Sequence, residues 1–395
     1  PKLSKLGEKA WKKTRSKVAK TVENIAEELA EIYAERKARK GFAFAADDLE
    51  MQKFELRFEF EETRDQLDVI SSVKADMEKE MPMDRLICGD VGFGKTEIAM
   101  RAAFKAVQQE KQVAVLVPTT ILAQQHFETF CRRFEDTPFI IEVISRFRTT
   151  VEQKKIIKRL QEGKIDVLIG THRMLSTDVK FKELGLLVVD EEQRFGVKHK
   201  EKIKRFRASV DVLTLSATPI PRTLHMSLMG IRDLSLVNTP PADRRAVRTR
   251  LLPANDYIIQ EAVSREIRRG GQVYIVHNRI DTIYEYGRYL DSILPNVKIV
   301  IGHGQMREEK LEKVMMEFIE GEFDVLLSTT IIESGLDITN ANTIIINNAH
   351  IFGLSQLYQL RGRVGRSNVQ AYAYLLVPPD LILSGIANER LNVLQ

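Results

Sequence analysis

A glycine-rich stretch at residues 89–96 reads Gly-Asp-Val-Gly-Phe-Gly-Lys-Thr and has the residue types and spacing that suit a phosphate-binding loop. The apolar run at 86–88 predicts a buried strand before it, and apolar residues at helical spacing over 97–107 predict a helix after it. Glycines let backbone N–H groups surround phosphate oxygens, and a helix N-terminus adds partial positive charge. Lys95 would neutralise phosphate charge, and Thr96 would bind Mg²⁺. The residues predicted to contact a nucleotide here are Gly89, Asp90, Val91, Gly92, Phe93, Gly94, Lys95, Thr96 and Glu97.

Two acids follow an apolar run at residues 186–189, and they strengthen the nucleotide prediction. At the end of a strand in a doubly wound sheet, carboxylates face the ligand crevice. Asp190 would hold Mg²⁺ through water, and Glu191 would orient and deprotonate the attacking water. The loop alone is also compatible with a glycine-rich turn carrying a surface lysine, and it does not separate kinases, GTPases, transporters and motors. Paired with the loop, the two acids favour phosphoryl transfer.

Three arginines interleaved with glycines lie at residues 359–366, Gln-Leu-Arg-Gly-Arg-Val-Gly-Arg. Arginine is permanently charged and binds phosphate oxygens through its planar fork. One interpretation is a pair of arginine fingers, Arg363 and Arg366, that reach the γ-phosphate only when two lobes close. The alternative is a solvated basic turn. The first interpretation links hydrolysis to lobe closure and predicts a nucleotide that drives movement.

Composition limits the remaining possibilities. The chain has 395 residues, 44% of them hydrophobic, and its length predicts two or three domains. Two cysteines and seven scattered histidines predict neither a disulfide framework nor a zinc site, and no apolar run approaches the roughly 20 residues of a membrane span. Residues 1–41 hold 12 basic and 6 acidic side chains, so the rest of the chain holds 48 basic and 49 acidic side chains. Nucleic-acid binding outside the N-terminal stretch therefore needs a local basic track.

The order of apolar runs predicts an α/β protein with two successive parallel-sheet blocks. Residues 1–47 are predicted to be a helical connector, 48–239 the nucleotide-binding domain, 240–378 a second α/β domain, and 379–395 the start of a truncated helical extension. A polar, proline-bearing stretch at 238–249 is the predicted hinge. The predicted strands are 86–88, 113–118, 139–144, 166–170, 184–190, 211–217, 272–277, 297–303, 324–329, 342–347 and 371–377.

The chain resembles superfamily 2 helicases and translocases, whose motifs occur here in order. Residues 60–66 resemble the adenine-reading Q motif. The other motifs are GDVGFGKT (89–96), VPTTILAQQH (117–126), SRFR (145–148), GTHRML (170–175), DEEQ (190–193), SATPIPRT (216–223), VHNR (276–279), STTIIESGLDI (328–338) and QLRGRVGR (359–366). The resemblance implies two tandem RecA-like doubly wound domains that bind ATP and Mg²⁺.

The motifs also imply individual roles, carried over by position. Phe60 and Gln66 would contact the adenine. Gln193 would couple the nucleotide site to Ser216 and Thr218, and Gly335 and Asp337 would sense the nucleotide from the second lobe. Histidine is common where Gln193 stands, and the glutamine is interpreted as a tolerated variant. The implied contacts to DNA phosphates are Thr119, Ser145, Arg146, Arg148, Thr171, Arg173, Asn278, Arg279, His303, Ser328 and Thr329. For each of these the alternative is a helix cap or a turn residue.

Within the superfamily the chain is similar to the bacterial transcription-repair coupling factors, the Mfd family, and shares much with RecG. The stretches that carry this are 190–204, 214–241 and 353–367, and the basic stretch before residue 45 favours the coupling factors. The resemblance implies a cytoplasmic bacterial double-stranded DNA translocase whose RNA polymerase and excision-repair partners bind regions largely absent from this sequence. The missing N-terminal Met and an end before the expected helical-hairpin motif predict a fragment.

Three functions remain open from the sequence. The first is the ATP-dependent DNA translocase of a transcription-repair coupling factor, which displaces stalled RNA polymerase. The second is a RecG-like remodeller of branched DNA. The third is a nucleotide-dependent DNA clamp without turnover, against which the water-activating Glu191 and the two arginines argue.

Overall fold

Two parallel β-sheets organise the part of the chain that the computed structural model describes, which is residues 40–207, 209–217, 232–242, 245–330, 338, 340–365, 369–379, 391 and 393. The chain divides into two units, Pro1–Thr239 and Pro240–Gln395, and one sheet lies in each. The predicted α/β class with two parallel-sheet domains is confirmed.

The described part of the first unit contains seven strands and a set of helices between them along the chain. Its described strands are β1 (Asp84–Gly89), β2 (Gln112–Leu116), β3 (Ile141–Ile144), β4 (Val167–Gly170), β5 (Leu184–Asp190), β6 (Asp211–Ser216) and β7 (Asp233–Val237). Its described helices are α1 (Leu49–Leu56), α2 (Arg64–Met77), α3 (Lys95–Val107), α4 (Thr120–Arg133), α5 (Thr150–Gln161) and α6 (Val197–Phe206). Short 3₁₀ turns follow β4 and β5, at His172–Leu175 and Glu192–Arg194.

The first sheet has the order β3-β4-β2-β5-β6-β1-β7, and every neighbouring pair is parallel. Strand β2 shows why its strands are apolar throughout. Val113 and Val115 pack into one hydrophobic cluster, and Ala114 and Leu116 pack into a second cluster. Alternate side chains of a strand point to opposite faces, so helices cover both faces of this sheet.

The strand order determines where the functional loops meet. Strands β5, β6 and β1 are neighbours, with Asp190 opposite Leu215 and Ser216 opposite Cys88. The carboxyl ends of these strands therefore lie side by side, and the glycine-rich loop, the two acids and the chain after Ser216 leave the sheet at one edge. Ligands bind at this edge in open α/β sheets.

In the described part of the second unit, six strands form a sheet of order β10-β11-β9-β12-β13-β8, again with parallel pairs. Its described strands are β8 (Arg248–Pro253), β9 (Gln272–Val276), β10 (Ile299–Gly302), β11 (Val325–Ser328), β12 (Ala341–Ile346) and β13 (Tyr372–Val377). Its described helices are α7 (Asp256–Arg268), α8 (Ile283–Ile293), α9 (Glu308–Ile319) and α10 (Leu354–Arg361), with a 3₁₀ turn at Ala349–Ile351.

The strand predictions were right in the sheet centres and wrong at two edges. Strands β7 and β8 were not predicted, and β8 begins inside the stretch assigned to the hinge. Both lie at the ends of their sheets, and their side chains are partly exposed, so they lack a continuous apolar run. Most of the predicted connector, residues 1–39, and of the predicted extension, 380–395 apart from 391 and 393, lie outside the described residues. In the described ranges, no helix has both the length and the apolar composition to cross a membrane.

Candidate functional site

The loop between β1 and α3 has the conformation expected of a phosphate cradle. Gly92 and Gly94 adopt φ of 81° and 74°, in the left-handed region that glycine favours. The Val91 N–H donates to Asp90 Oδ1 at 2.8 Å. The Lys95 ammonium donates to the backbone oxygens of Gly89 at 2.6 Å and Asp90 at 2.9 Å. The positive charge therefore lies against the loop itself, at the N-terminus of α3, where an anion is stabilised.

Gln66 supports this loop from α2. Its backbone N–H and its side-chain oxygen form a capping box with Thr63, the N-cap of α2. Its side-chain Nε2 donates to the Phe93 backbone oxygen at 2.9 Å. The residue is buried, whereas Phe60 is 58% exposed beside Phe58. The amide of Gln66 thus holds the loop directly, and the predicted contact of Gln66 and Phe60 with an adenine stays a prediction.

Gly94→Ala is expected to weaken nucleotide binding by about tenfold or more, equivalent to about 1.4 kcal/mol. A Cβ at this position would overlap with Nε2 of Gln66, so the amide would lose its bond to Phe93. Titration of the purified variant with a fluorescent ATP analogue measures the effect.

Gly321→Ala is the matched control, because Gly321 has φ of 82° and a Cβ there would meet no described atom within 4 Å. Both variants carry the cost of a left-handed alanine, about 1–2 kcal/mol, but only Gly94→Ala disturbs the loop. Equal nucleotide affinity in the two variants would contradict the role given to Gln66.

Glu97 has a different environment from the rest of the loop. Its carboxylate accepts from Arg101 Nε at 2.9 Å and from Arg133 NH2 at 2.8 Å, and the residue is buried. Arg101 also pairs with Glu62 at 2.5 Å. The Glu97 side chain is therefore engaged with Arg101 of its own helix and with Arg133 of α4. The predicted contact of Glu97 with a nucleotide stays a prediction.

The two acids at the end of β5 occupy distinct surroundings. Glu191 is 4% exposed and adopts φ of 50°, a left-handed conformation that is uncommon outside glycine. Its Oε1 accepts from the Ala217 backbone N–H at 3.0 Å, and its Oε2 accepts from the Gln193 side chain. Burial, and then the negative charge of Asp190, raise the pKa of Glu191. A buried carboxylate held at both oxygens and with a raised pKa has the features of a general base.

These contacts refine the predicted role of Gln193. Its amide contacts Glu191, and Glu191 contacts Ala217, so the link between the end of β5 and the chain after β6 runs through the glutamate. Thr218, the other predicted partner of Gln193, lies outside the described residues. The coupling role of Gln193 stays a prediction.

The residues around the loop offer oxygen ligands suited to Mg²⁺. Thr96 stands at the start of α3, and Asp190 ends β5 at the same edge of the sheet. A hydroxyl and a carboxylate are hard oxygen donors, and Mg²⁺ is usually held by one or two such groups together with phosphates and water. The donor set therefore fits Mg²⁺, and Thr96 and Asp190 are the residues that would hold it.

A buried cluster of ion pairs, which the sequence analysis did not predict, includes the residue that follows Glu191. Glu192 pairs with Arg207 at 2.7 Å and with Arg232 at 3.1 Å, and Arg232 also pairs with Asp84 at 3.0 Å. Burial alone would raise the pKa of Glu192, but the two guanidinium groups outweigh it and lower the pKa to about 2. The cluster of Asp84, Glu192, Arg207 and Arg232 therefore fixes the residue that follows Glu191. No local sequence pattern signals it, because its members lie on separate elements.

Polar loops after β2, β3 and β4 contain the predicted DNA-contacting residues of the first unit. Thr119 caps α4 by accepting from the Leu122 N–H at 3.3 Å, which is the structural alternative considered for it. Ser145 is buried, and its Oγ accepts from the Phe147 N–H at 3.3 Å. Arg146 is exposed, Arg148 is half-buried and Thr171 is buried. The DNA contacts of these residues stay predictions.

Gln153, which the sequence did not single out, joins two of these loops. Its Nε2 donates to the backbone oxygens of Ser145 at 3.1 Å and Arg148 at 3.0 Å, and its Oε1 accepts from Arg173 Nε at 3.1 Å. Arg173 in turn forms a two-pronged pair with Asp178, at 2.8 and 2.6 Å. A phosphate at Arg173 would have to compete with Asp178.

The second unit places its predicted residues after β9, β10 and β11. Asn278 is half-buried, and Arg279 is exposed with Asp281 at 3.8 Å. His303 is buried, and its Nε2 lies 2.8 Å from the Tyr284 hydroxyl. The hydroxyls of Ser328 and Thr329 are buried with no hydrogen-bond partner in the described parts of the chain. Arg363 is buried. The predicted residues that lie outside the described part are Gly335, Asp337 and Arg366.

Comparison with known proteins identifies two helicase domains in this chain. The DEAD/DEAH box helicase family matches residues 63–227, and the helicase conserved C-terminal domain matches 254–368. Transcription-repair-coupling factors of Myxococcus xanthus and Bacillus subtilis are 57% and 55% identical to the whole chain, which covers 33% and 34% of their lengths. A structure of RecG bound to a three-way DNA junction superimposes with a TM-score of 0.78 at 36% identity, over 93% of this chain and 50% of that one.

The chain therefore has the paired helicase domains of superfamily 2. Along its whole length it is similar to transcription-repair-coupling factors, and it spans about a third of the length of these relatives. The resemblance inferred from the motifs, and with it the superfamily 2 helicase class, is confirmed.

Proposed function

We propose that this chain is the ATP- and Mg²⁺-dependent, DNA-stimulated motor core of a transcription-repair coupling factor. The observation that carries the proposal is the meeting of three groups at one sheet edge: Lys95 on its glycine-rich loop, Asp190, and a buried Glu191 held at both oxygens. The sequence similarity to coupling factors supplies the biological context.

The chemistry assigned to these residues is hydrolysis of the terminal phosphate. Lys95 leaves the loop carbonyls to bind phosphate oxygens. Thr96 and Asp190 would hold Mg²⁺, which would supply neutralisation of the phosphate charge. Glu191 accepts the proton of the attacking water, since its raised pKa makes it a better base than an ordinary glutamate. The role of Arg363 and Arg366 as arginine fingers stays part of the proposal.

DNA binding is proposed for the polar loops after β2, β3, β4, β9, β10 and β11. Backbone oxygens of DNA accept from hydroxyl, amide and guanidinium groups without regard to sequence. The loops after β3 and β4 are bridged by Gln153, which supports their acting as one surface. Displacement of stalled RNA polymerase and coupling to excision repair are proposed for the longer protein to which such a motor belongs.

Two other candidate functions differ from the motor in the DNA they act on or in whether they hydrolyse ATP. The similarity to a RecG structure with a three-way junction favours a branched-DNA remodeller as the second candidate. A clamp without turnover is the third candidate, and the surroundings of Glu191 argue against it, since binding alone needs no general base.

Steady-state ATP hydrolysis separates the three. We expect linear duplex DNA to stimulate hydrolysis several-fold over the DNA-free rate, and more than single strands do. Preferential stimulation by a three-way junction would favour the RecG-like candidate. Nucleotide-dependent DNA binding with no hydrolysis above background would favour the clamp.

A further inference from the structure

A histidine outside the predicted site contacts the carboxylate proposed to bind Mg²⁺. Nε2 of His126 lies 3.0 Å from Oδ2 of Asp190. His126 is 8% exposed, and the Asp190 side chain is 14% exposed. The contact is thus largely shielded from water, where a hydrogen bond to a charged group is stronger than in solvent.

The fold fixes this contact from both sides. Strand β2 pairs with β5, so the helix that follows β2 starts beside the end of β5. Thr119 caps this helix, α4, and Leu122, His126 and Phe130 are buried at successive four-residue steps along it. Phe130 is fully buried, and its ring lies against the imidazole, with centroids 6.4 Å apart. The imidazole is therefore held by a packed helix rather than by a mobile loop.

The second ring nitrogen indicates which atom carries the proton. Nδ1 of His126 is buried and has no hydrogen-bond partner in the parts of the chain that the structure describes. Leaving a lone pair unpaired at the buried Nδ1 is less costly than leaving an N–H unpaired there. The Asp190 carboxylate, when ionised, can accept a hydrogen bond but cannot donate one. The proton therefore lies on Nε2, and His126 donates to Asp190.

We propose that His126 is a positioning residue for the metal-binding carboxylate. By holding Oδ2, it fixes the rotation of the Asp190 carboxylate and leaves Oδ1 for Mg²⁺ or its water. Hydrogen-bond partners of this kind orient metal ligands, and their loss typically lowers metal affinity by about 10- to 100-fold. The proposal rests on the proposed function, because it needs Asp190 to bind Mg²⁺.

The test measures binding and not only turnover. Affinity for a fluorescent non-hydrolysable ATP analogue is measured first in EDTA and then at increasing Mg²⁺ concentrations. The proteins compared are the wild type, His126→Leu and His126→Gln. Leucine removes the N–H and retains much of the volume, whereas glutamine can place an N–H near the same position. We expect His126→Leu to need about 10- to 100-fold more Mg²⁺ for its effect on binding, and His126→Gln to return close to wild type. Affinity in EDTA should be equal in all three.

Thr129→Val is the matched control, because it removes a hydrogen bond of the same helix, from Thr129 Oγ1 to the Gln125 backbone oxygen, one turn away from His126. Its Mg²⁺ requirement should equal that of the wild type.

An unchanged Mg²⁺ requirement in His126→Leu would overturn the proposal, and so would an equal shift in His126→Leu and His126→Gln. If His126→Leu fails to bind in EDTA, the Gln variant decides alone: a wild-type Mg²⁺ requirement supports the donor role, and a raised one overturns it. If the wild type itself shows no Mg²⁺ effect, the proposed function fails first.

Discussion

Glu191→Gln is expected to lower kcat for ATP hydrolysis by about 10²- to 10⁴-fold, the usual contribution of a general base. The amide is nearly isosteric and still accepts from the Ala217 N–H through its oxygen, so the turn after β5 should keep its shape. It cannot take a proton from water. ATP affinity should therefore stay within several-fold of wild type, and a single-turnover hydrolysis assay alongside nucleotide titration separates the two quantities.

Glu183→Gln is a suitable control for this experiment, because it also removes one glutamate charge from the same unit. Glu183 is exposed and pairs with Lys111 at 2.8 Å, away from the carboxyl ends of the strands. Its hydrolysis rate should match that of the wild type. Near-normal turnover in Glu191→Gln would place the base elsewhere and would remove the main observation behind the proposed function.

The sequence predicted the centre of each sheet well because local and tertiary requirements coincide there. A strand that is covered on both faces must be apolar at every position, and runs such as 113–118 and 184–190 meet that condition. The loop and the acids could also be predicted, since parallel strands bring their carboxyl ends to one edge whatever the intervening sequence is. Edge strands β7 and β8 were missed because partial exposure removes the apolar signal.

The sequence could not predict the contacts that tune the site. His126 and Asp190 are 64 residues apart, and Gln66 and Phe93 are 27 apart, so each pairing depends on which strands are neighbours. Glu97 is a further example. Its predicted nucleotide contact stays a prediction, and the sequence did not indicate that its side chain contacts Arg101 and Arg133. A motif therefore locates a backbone position, and the fold decides what the side chain touches.

Arg232→Leu should destabilise the first unit by about 3–5 kcal/mol, the usual cost of removing one partner from a buried ion pair. The Arg232 side chain is 1% exposed and lies between Asp84 and Glu192, and it also donates to the Thr214 hydroxyl. Its removal leaves two buried carboxylates with less positive charge nearby. Hydrogen–deuterium exchange of amides in β1 and β6 in the intact chain measures the local effect. Lys53→Leu, in an exposed pair with Glu50, should cost about 0–1 kcal/mol.

The stability loss of Arg232→Leu should depend on pH, because Glu192 is charged only above its pKa. Because the folded pKa of Glu192, about 2, lies below its ordinary value of 4.5, its ionised form stabilises the fold above pH 4.5. That stabilisation is lost as the pH falls towards 2. The difference in unfolding free energy between wild type and Arg232→Leu should therefore be largest near neutral pH and shrink on acidification. A difference that does not change with pH would mean that Arg232 acts through packing alone, and that the turn following Glu191 is not fixed by charge.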